Sequence, residues 1–156
     1  ASNAAGDKHT LPSTLQPVVK KLKTLYNFSD YRLTTTFIQR TSDSVEYKSL
    51  LSDFNQNAEK TAPVFSDWSL RNLRNMANAQ GQGIIQFDNF RFGASIPITI
   101  IRNEGEKSSS VVNYNQIGIT TSRFSLSENE PTVLGSLAMS KPDELMFLVL
   151  TVKQPE

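Results

Sequence analysis

Phe90-Arg91-Phe92-Gly93-Ala94-Ser95-Ile96-Pro97-Ile98-Thr99-Ile100 is the stretch on which the fold turns. Phe90, Phe92, Ala94, Ile96, Ile98 and Ile100 fall on one face, and Arg91, Gly93, Ser95, Pro97 and Thr99 fall on the other. A strict period of two over that length is the mark of a half-buried β-strand, because successive side chains of a strand point to opposite faces. The strand is expected over about 84–102. Pro97 has no N–H to give to a ladder, which places the strand at a sheet edge, or bulged, near that residue.

Working outward, Asn103-Glu104-Gly105-Glu106 with the following three serines reads as a turn. Strands are then expected over about 111–116, 117–127 and 132–139, with Gly118 marking a bulge or bend between the first two. Lys141-Pro142-Asp143-Glu144 suits a type I turn. The closing run Leu145-Met146-Phe147-Leu148-Val149-Leu150-Thr151-Val152 is apolar on both faces, so it belongs to a central strand with a second layer over it. Towards the N-terminus, Gln80-Gly81-Gln82-Gly83 reads as a hairpin loop. The segment 64–76 fits either a strand or a helical stripe, and the hairpin context favours the strand. Residues 53–63 read as an exposed loop. Val45, Tyr47 and Leu51 suggest a strand, hairpin-paired through Thr41-Ser42-Asp43-Ser44 to an alternating strand from Tyr31 to about Thr41.

The period changes only once. Leu15, Val18, Val19, Leu22 and Leu25 with Tyr26 recur at helical spacing, which predicts a helix over about 14–26. Ser13 and Gln16 have the spacing of a capping box, and Pro17 falls in the first turn. Residues 1–12 carry no periodicity and read as a mobile leader, of which Ala1-Ser2-Asn3-Ala4 matches the remnant of a cleaved tag. The expected architecture is mainly β (α+β): an antiparallel sheet or sandwich with one N-terminal helix packed on it, and a single β-rich domain over 13–156.

Composition narrows the chemistry. Sixteen basic and fifteen acidic residues leave a net charge of +1, without the positive footprint of a general nucleic-acid binder. Nine Phe, four Tyr and one Trp with so little net charge describe a folded chain, although Ser, Thr, Asn and Gln make up about a third of it. No apolar run reaches the length of a transmembrane helix. Cys is absent and His9, in the leader, is the only imidazole, which argues against a Ser–His nucleophile, a thiolate centre or a multi-histidine metal site. No cofactor motif is found: Gly81-Gln82-Gly83 lacks the third glycine and the strand-to-helix setting of a dinucleotide site.

Two carboxylates, Asp67 and Asp88, lie nearer to strand interiors than the turn acids and form the one pair to check for hydrolytic chemistry, which needs them facing each other across a cleft. All seven arginines fall in or beside expected strands. Arg91 shares a face with Gly93, Ser95 and Thr99, while Arg32 and Arg40 share one with Thr34 and Thr36. If those faces adjoin, Arg32, Arg40, Arg71 and Arg91 with Thr34 and Thr36 make a flat surface able to hold a carboxylate, a polysaccharide or a protein edge. The plainer reading is the solvated side of a sheet. Trp68 and Tyr114 are candidate sugar-stacking rings, with core packing as the plainer role.

Several of these stretches also carry a resemblance. Residues 11–26, Tyr31-Arg32-Leu33, Phe90-Arg91-Phe92-Gly93 with Ile96-Pro97, Pro131-Thr132-Val133-Leu134-Gly135 and 145–153 together resemble small exported proteins of soil bacteria with no assigned activity. Tyr114-Asn115-Gln116-Ile117-Gly118-Ile119 and Val133-Leu134-Gly135-Ser136-Leu137 are similar to the late-strand hairpin of secretin-type channels, with Ser136 where those carry a second glycine and without their gate and lip segments. The first resemblance implies a non-enzymatic protein that is exported, periplasmic or at the cell surface. Its expected partner is another envelope protein, met through strand edges beside Pro97 or on the 31–51 hairpin. A β-sandwich for a glycan or small acid is the alternative, and a carboxylate-based hydrolase the third.

Overall fold

The computed structural model describes residues 11–51, 63–81, 83–104, 107–139 and 143–154. His9 and the first ten residues, most of the 53–63 loop, Gln82, Gly105-Glu106 and Lys141-Pro142 lie outside the described residues. The alternating stretch is realised in β4 (Gly83–Glu104), a strand of 22 residues that organises everything else. On one side β4 pairs with β2 (Phe65–Arg71) and β3 (Arg74–Ala77), and on the other with β5 (Lys107–Ser127). β1 (Val45–Leu50) pairs with β2, completing an antiparallel five-stranded sheet. β6 (Thr132–Ala138) and β7 (Leu145–Leu150) form a separate antiparallel pair. The fold is therefore mainly β, with one short helix among the described residues, α1 (Gln16–Leu25), after a 3-10 turn at Ser13–Leu15.

Sidedness follows the alternation. Leu70, Phe90, Phe92 and Ala94 are buried on the inner face, and Leu51 and Val64, hydrogen-bonded to each other through their backbones, close its end. Segment 64–76 is thus strand, as β2 and β3, with the hairpin loop following it. One crease crosses the sheet. Inward-facing positions are odd at Ile85 and Phe87 but even at Phe90 and Phe92, and the switch recurs between Leu70 and Leu73 on the neighbouring strand. Register is unchanged across it: Arg71 faces Asn89 and Arg74 faces Gln86. Asn72 (φ 54) and Arg123 (φ 53) take up the left-handed backbone there. Asn suits that conformation, whereas Arg enters it at a cost. The backbone groups freed at the crease are satisfied: Leu73 N–H donates to the Asp43 carbonyl (2.9 Å) and Asn72 N–H to Ser44 Oγ (3.2 Å).

β6 and β7 form a middle layer. Leu134, Leu137, Met146, Leu148 and Leu150 pack towards the sheet's inner face. Val133, Phe147 and Val149 pack towards Val18 and Leu22 of α1. Leu134 is the extra residue of a bulge, which lets Val133 and Leu137 serve opposite layers. The doubly apolar run is explained by this sandwiching. β7 is central in depth but not in width, since its only ladder partner among the described residues is β6.

The structure departs from expectation at several other places. Residues 31–41 form no strand, and β1 takes β2 as its partner instead. Leu33 and Ile38 remain exposed, and the segment is an irregular strap anchored by Tyr31 and by Phe37 against the Tyr47 and Trp68 rings (5.3 and 6.3 Å). Period two was present, but only its two rings find a core to enter. Strands 111–116 and 117–127 are one strand, β5, and Ser108–Ser110 belong to it rather than to the turn. Gly118 does not bend it. It faces Gly93 across the ladder, and a Cβ at Gly118 would sit 2.6 Å from the Phe92 carbonyl oxygen, so the close approach of backbone requires glycine. Ser13 forms no capping bond, although Pro17 does occupy the first turn of α1. Leu25, at the end of the helical stripe, is exposed, and Leu11 of the leader is packed beside the helix.

Tyr31 supplies a test of this second cluster. Its hydroxyl is buried with no hydrogen-bond partner among the described residues, and burial raises its pKa. The folded chain therefore keeps the phenol protonated above pH ~10, where an unfolded tyrosine ionises. That contribution to stability is complete below pH ~10 and is lost as pH rises from there through the folded pKa. Tyr31→Phe is expected to be neutral or stabilising by up to about 1 kcal/mol at neutral pH. Urea melts at several pH values should show the variant losing less stability than the parent in the alkaline range, and equal losses would contradict the assignment.

Candidate binding surface

The outer face of the sheet is built from the other parity. Across β1, β2, β4 and β5 it reads Lys48, Asp67, Gly93, Gly118 in one row and Glu46, Ser69, Arg91, Thr120 in the next. The facing glycines leave a depression of about 170 Å³ lined by Asp67, Arg91, Gln116 and Thr120. It continues past Asp67, Arg91 and Gln116 into an open groove of about 410 Å³ that reaches Glu46, Lys48 and Phe65. Beyond Phe65 stands Tyr114, with ring centroids 5.8 Å apart, both rings nearly half exposed.

Charge on this face is largely balanced in pairs. Arg91 lies 4.0 Å from Asp67, Lys48 lies 3.9 Å from Glu46, and Arg74 lies 3.3 Å from Asp88, which also accepts from Asn72 Nδ2 (3.0 Å). Exposed pairs of this kind hold side chains in place weakly. Asp67 and Asp88 are no hydrolytic pair. Asp67 faces Gly93, five positions along β4 from Asp88, which at ~3.4 Å per residue is roughly 17 Å and beyond the spacing glycoside hydrolysis uses. Among the described residues no group of three or more His, Asp or Glu could hold a metal ion.

The structure brings together only part of the expected arginine–threonine surface. Arg71 and Arg91 share the outer face, with Pro97 further along the same face. Arg32, Arg40, Thr34 and Thr36 do not join them. They sit on the strap, which packs through Phe37 on the opposite side of the sheet, so no common face exists. Trp68 is likewise inward, in contact with Tyr47 and Phe37, and is no sugar platform. Lys48, Glu46, Phe65 and Gln116 were missed, because only the β1–β2–β4–β5 register makes them neighbours of Arg91.

The second feature is an arm. β2 ends opposite Ser95, yet β4 and β5 stay paired from Ile96↔Asn115 to Glu104↔Lys107. Nine residues of each strand thus project as a two-stranded ribbon roughly 30 Å long. Pro97 lies just past the last β2 pairing, where β4 has no ladder neighbour on that side among the described residues, in keeping with its missing N–H. The ribbon exposes Ile98, Ile100 and Val111 on one face and Ile101, Val112 and Tyr114 on the other.

No known protein family, curated protein or solved structure matches this chain.

Proposed function

We propose that this chain is a non-catalytic binding or assembly domain of the bacterial envelope that works through protein–protein contacts made by the β4–β5 arm. The observation that carries the reading is the exposure of six large apolar side chains, Ile98, Ile100, Ile101, Val111, Val112 and Tyr114, on a ribbon that no layer covers among the described residues. A lone two-stranded ribbon is marginal in water, and clustered exposed apolar residues mark sites of association. The open margin of β4 past Ser95 adds unpaired backbone groups for a partner strand. The envelope location rests on the resemblance to exported proteins described above. A second reading, a glycan or small-acid site, is favoured by the Phe65–Tyr114 rings beside the groove. It is weakened by Asp67, which sets a like charge against an incoming acid 4.0 Å from the Arg91 guanidinium.

A photo-crosslinking residue at Ile100, in the full chain inside cells, tests the choice. The expected result is a discrete protein adduct that disappears when Ile98→Asp is added, with the circular dichroism spectrum unchanged. Absence of any protein adduct, with glycan binding that is lost in Tyr114→Ala, would overturn the proposal in favour of the groove.

A further inference from the structure

We infer that the arm's partner is a second copy of this chain, joined edge to edge along β5; the inference rests on the protein-contact reading above and deepens it. Among the described residues the five-stranded sheet has four open margins, and three are guarded. β1 carries Glu46 and Lys48, β3 is only four residues long, and β4 past Ser95 carries Pro97. Charge, brevity and proline are the usual defences of a sheet edge. β5 has none of them along most of its length. Among the described residues its only ladder partner is β4, so its other side offers unpaired N–H and C=O groups over 21 residues. From Ser108 to Ser122, fifteen residues hold neither a charge nor a proline.

That uncharged run decides the occupant. A foreign strand is selected by pockets for its alternate side chains or by complementary charges, and this edge displays no charge to select one. Two copies, by contrast, meet without cost: like charges opposite one another destabilise a ladder, and here there are none to oppose. An antiparallel register centred on Tyr114 pairs residues 107–121 of the two copies and keeps Lys107, opposite Thr121, clear of Arg123. At a distance the copies scarcely repel, since each carries a net charge of +1. Fifteen paired residues extend roughly 50 Å, and a strip of that length buries on the order of 1,000 Å² in total, the lower bound for a specific interface. Side-by-side arms would cover Val111, Val112 and Tyr114, the exposed apolar residues of β5. A two-fold axis closes such an interface at the dimer, so it need not propagate.

Sedimentation velocity on the full chain at micromolar concentration reads the outcome. The expected mass is about twice the 17.4 kDa of one chain. Tyr114→Lys, which sets two lysines against each other at the two-fold axis, is expected to weaken association at least about tenfold. Tyr114→Thr, which keeps β-propensity without charge, is expected to remain dimeric, showing that charge and not misfolding breaks the pair. Hydrogen exchange should show alternate amides of 107–121 protected at high concentration and open on dilution. A monomer at every concentration, or a Tyr114→Lys dimer as tight as the parent, overturns this inference. A monomer whose Ile100 crosslinker still captures a different protein leaves the arm reading standing, whereas no adduct of any kind removes both.

Discussion

Phe87→Ala is expected to destabilise the chain by roughly 3–5 kcal/mol, enough to leave a domain of ordinary stability near its unfolding threshold. Phe87 is 1% exposed and stacks on Phe124 at 5.3 Å, while Phe90 meets the same ring edge-on at 6.5 Å. These three rings occupy the crease, where the inward parity of β4 reverses. A truncated side chain there leaves a hole that neighbours on both halves of the sheet are poorly placed to fill. Urea titration followed by Trp68 fluorescence measures the loss. A change below about 1 kcal/mol would show that the crease is not the centre of the core.

Leu22→Ala is expected to cost about 2–5 kcal/mol, with its effect concentrated in the helix layer. Leu22 is 5% exposed and belongs to the smaller cluster with Val18, Tyr31, Phe147 and Val149, which the β6–β7 layer separates from the larger core. Phe147 is held in that cluster by Tyr26 and Phe28, with ring centroids at 5.2 and 6.4 Å. Ten residues of helix have little stability of their own, so α1 depends on this docking. Hydrogen exchange should show α1 amides opening at a much lower free energy in the variant, with amides in the middle of β4 retaining more protection. Uniform loss across α1 and β4 would mean that the two clusters unfold as one unit.

What could be read from sequence follows from where burial imposes a period. β4 was legible because Phe90, Phe92, Ala94 and Ile96 all enter one core, and α1 because Val18 and Leu22 face another. The doubly apolar β7 correctly announced a covering layer on its second face, with Met146 and Leu148 serving one core and Phe147 and Val149 the other. The strap misled because Tyr31, Leu33, Thr35 and Phe37 copy a strand's rhythm, yet Tyr31 and Phe37 enter two different clusters and Leu33 stays exposed. Gly118 misled because a glycine demanded by close backbone approach looks, in sequence, like one demanded by a bend. The crease left almost no trace. Asn72 is a residue that tolerates left-handed backbone, but Arg123 is not. The binding surface was legible only in fragments. Arg71, Arg91, Pro97 and Tyr114 carry chemistry that could be seen residue by residue. Their neighbours Lys48, Glu46, Phe65 and Gln116 depend on the pairing of four strands, which no local pattern encodes.

The arm has a mechanical meaning as well. It is not a loop hung from the body but the continuation of two strands that run through it, so tension applied along the tip is carried straight into the sheet. Within the body β4 is gripped on both flanks, by β2 and β5, and a pull along its axis loads those inter-strand bonds in shear, all at once, instead of unzipping them singly. A partner tugging on this protein by its arm would therefore be pulling on its strongest grain.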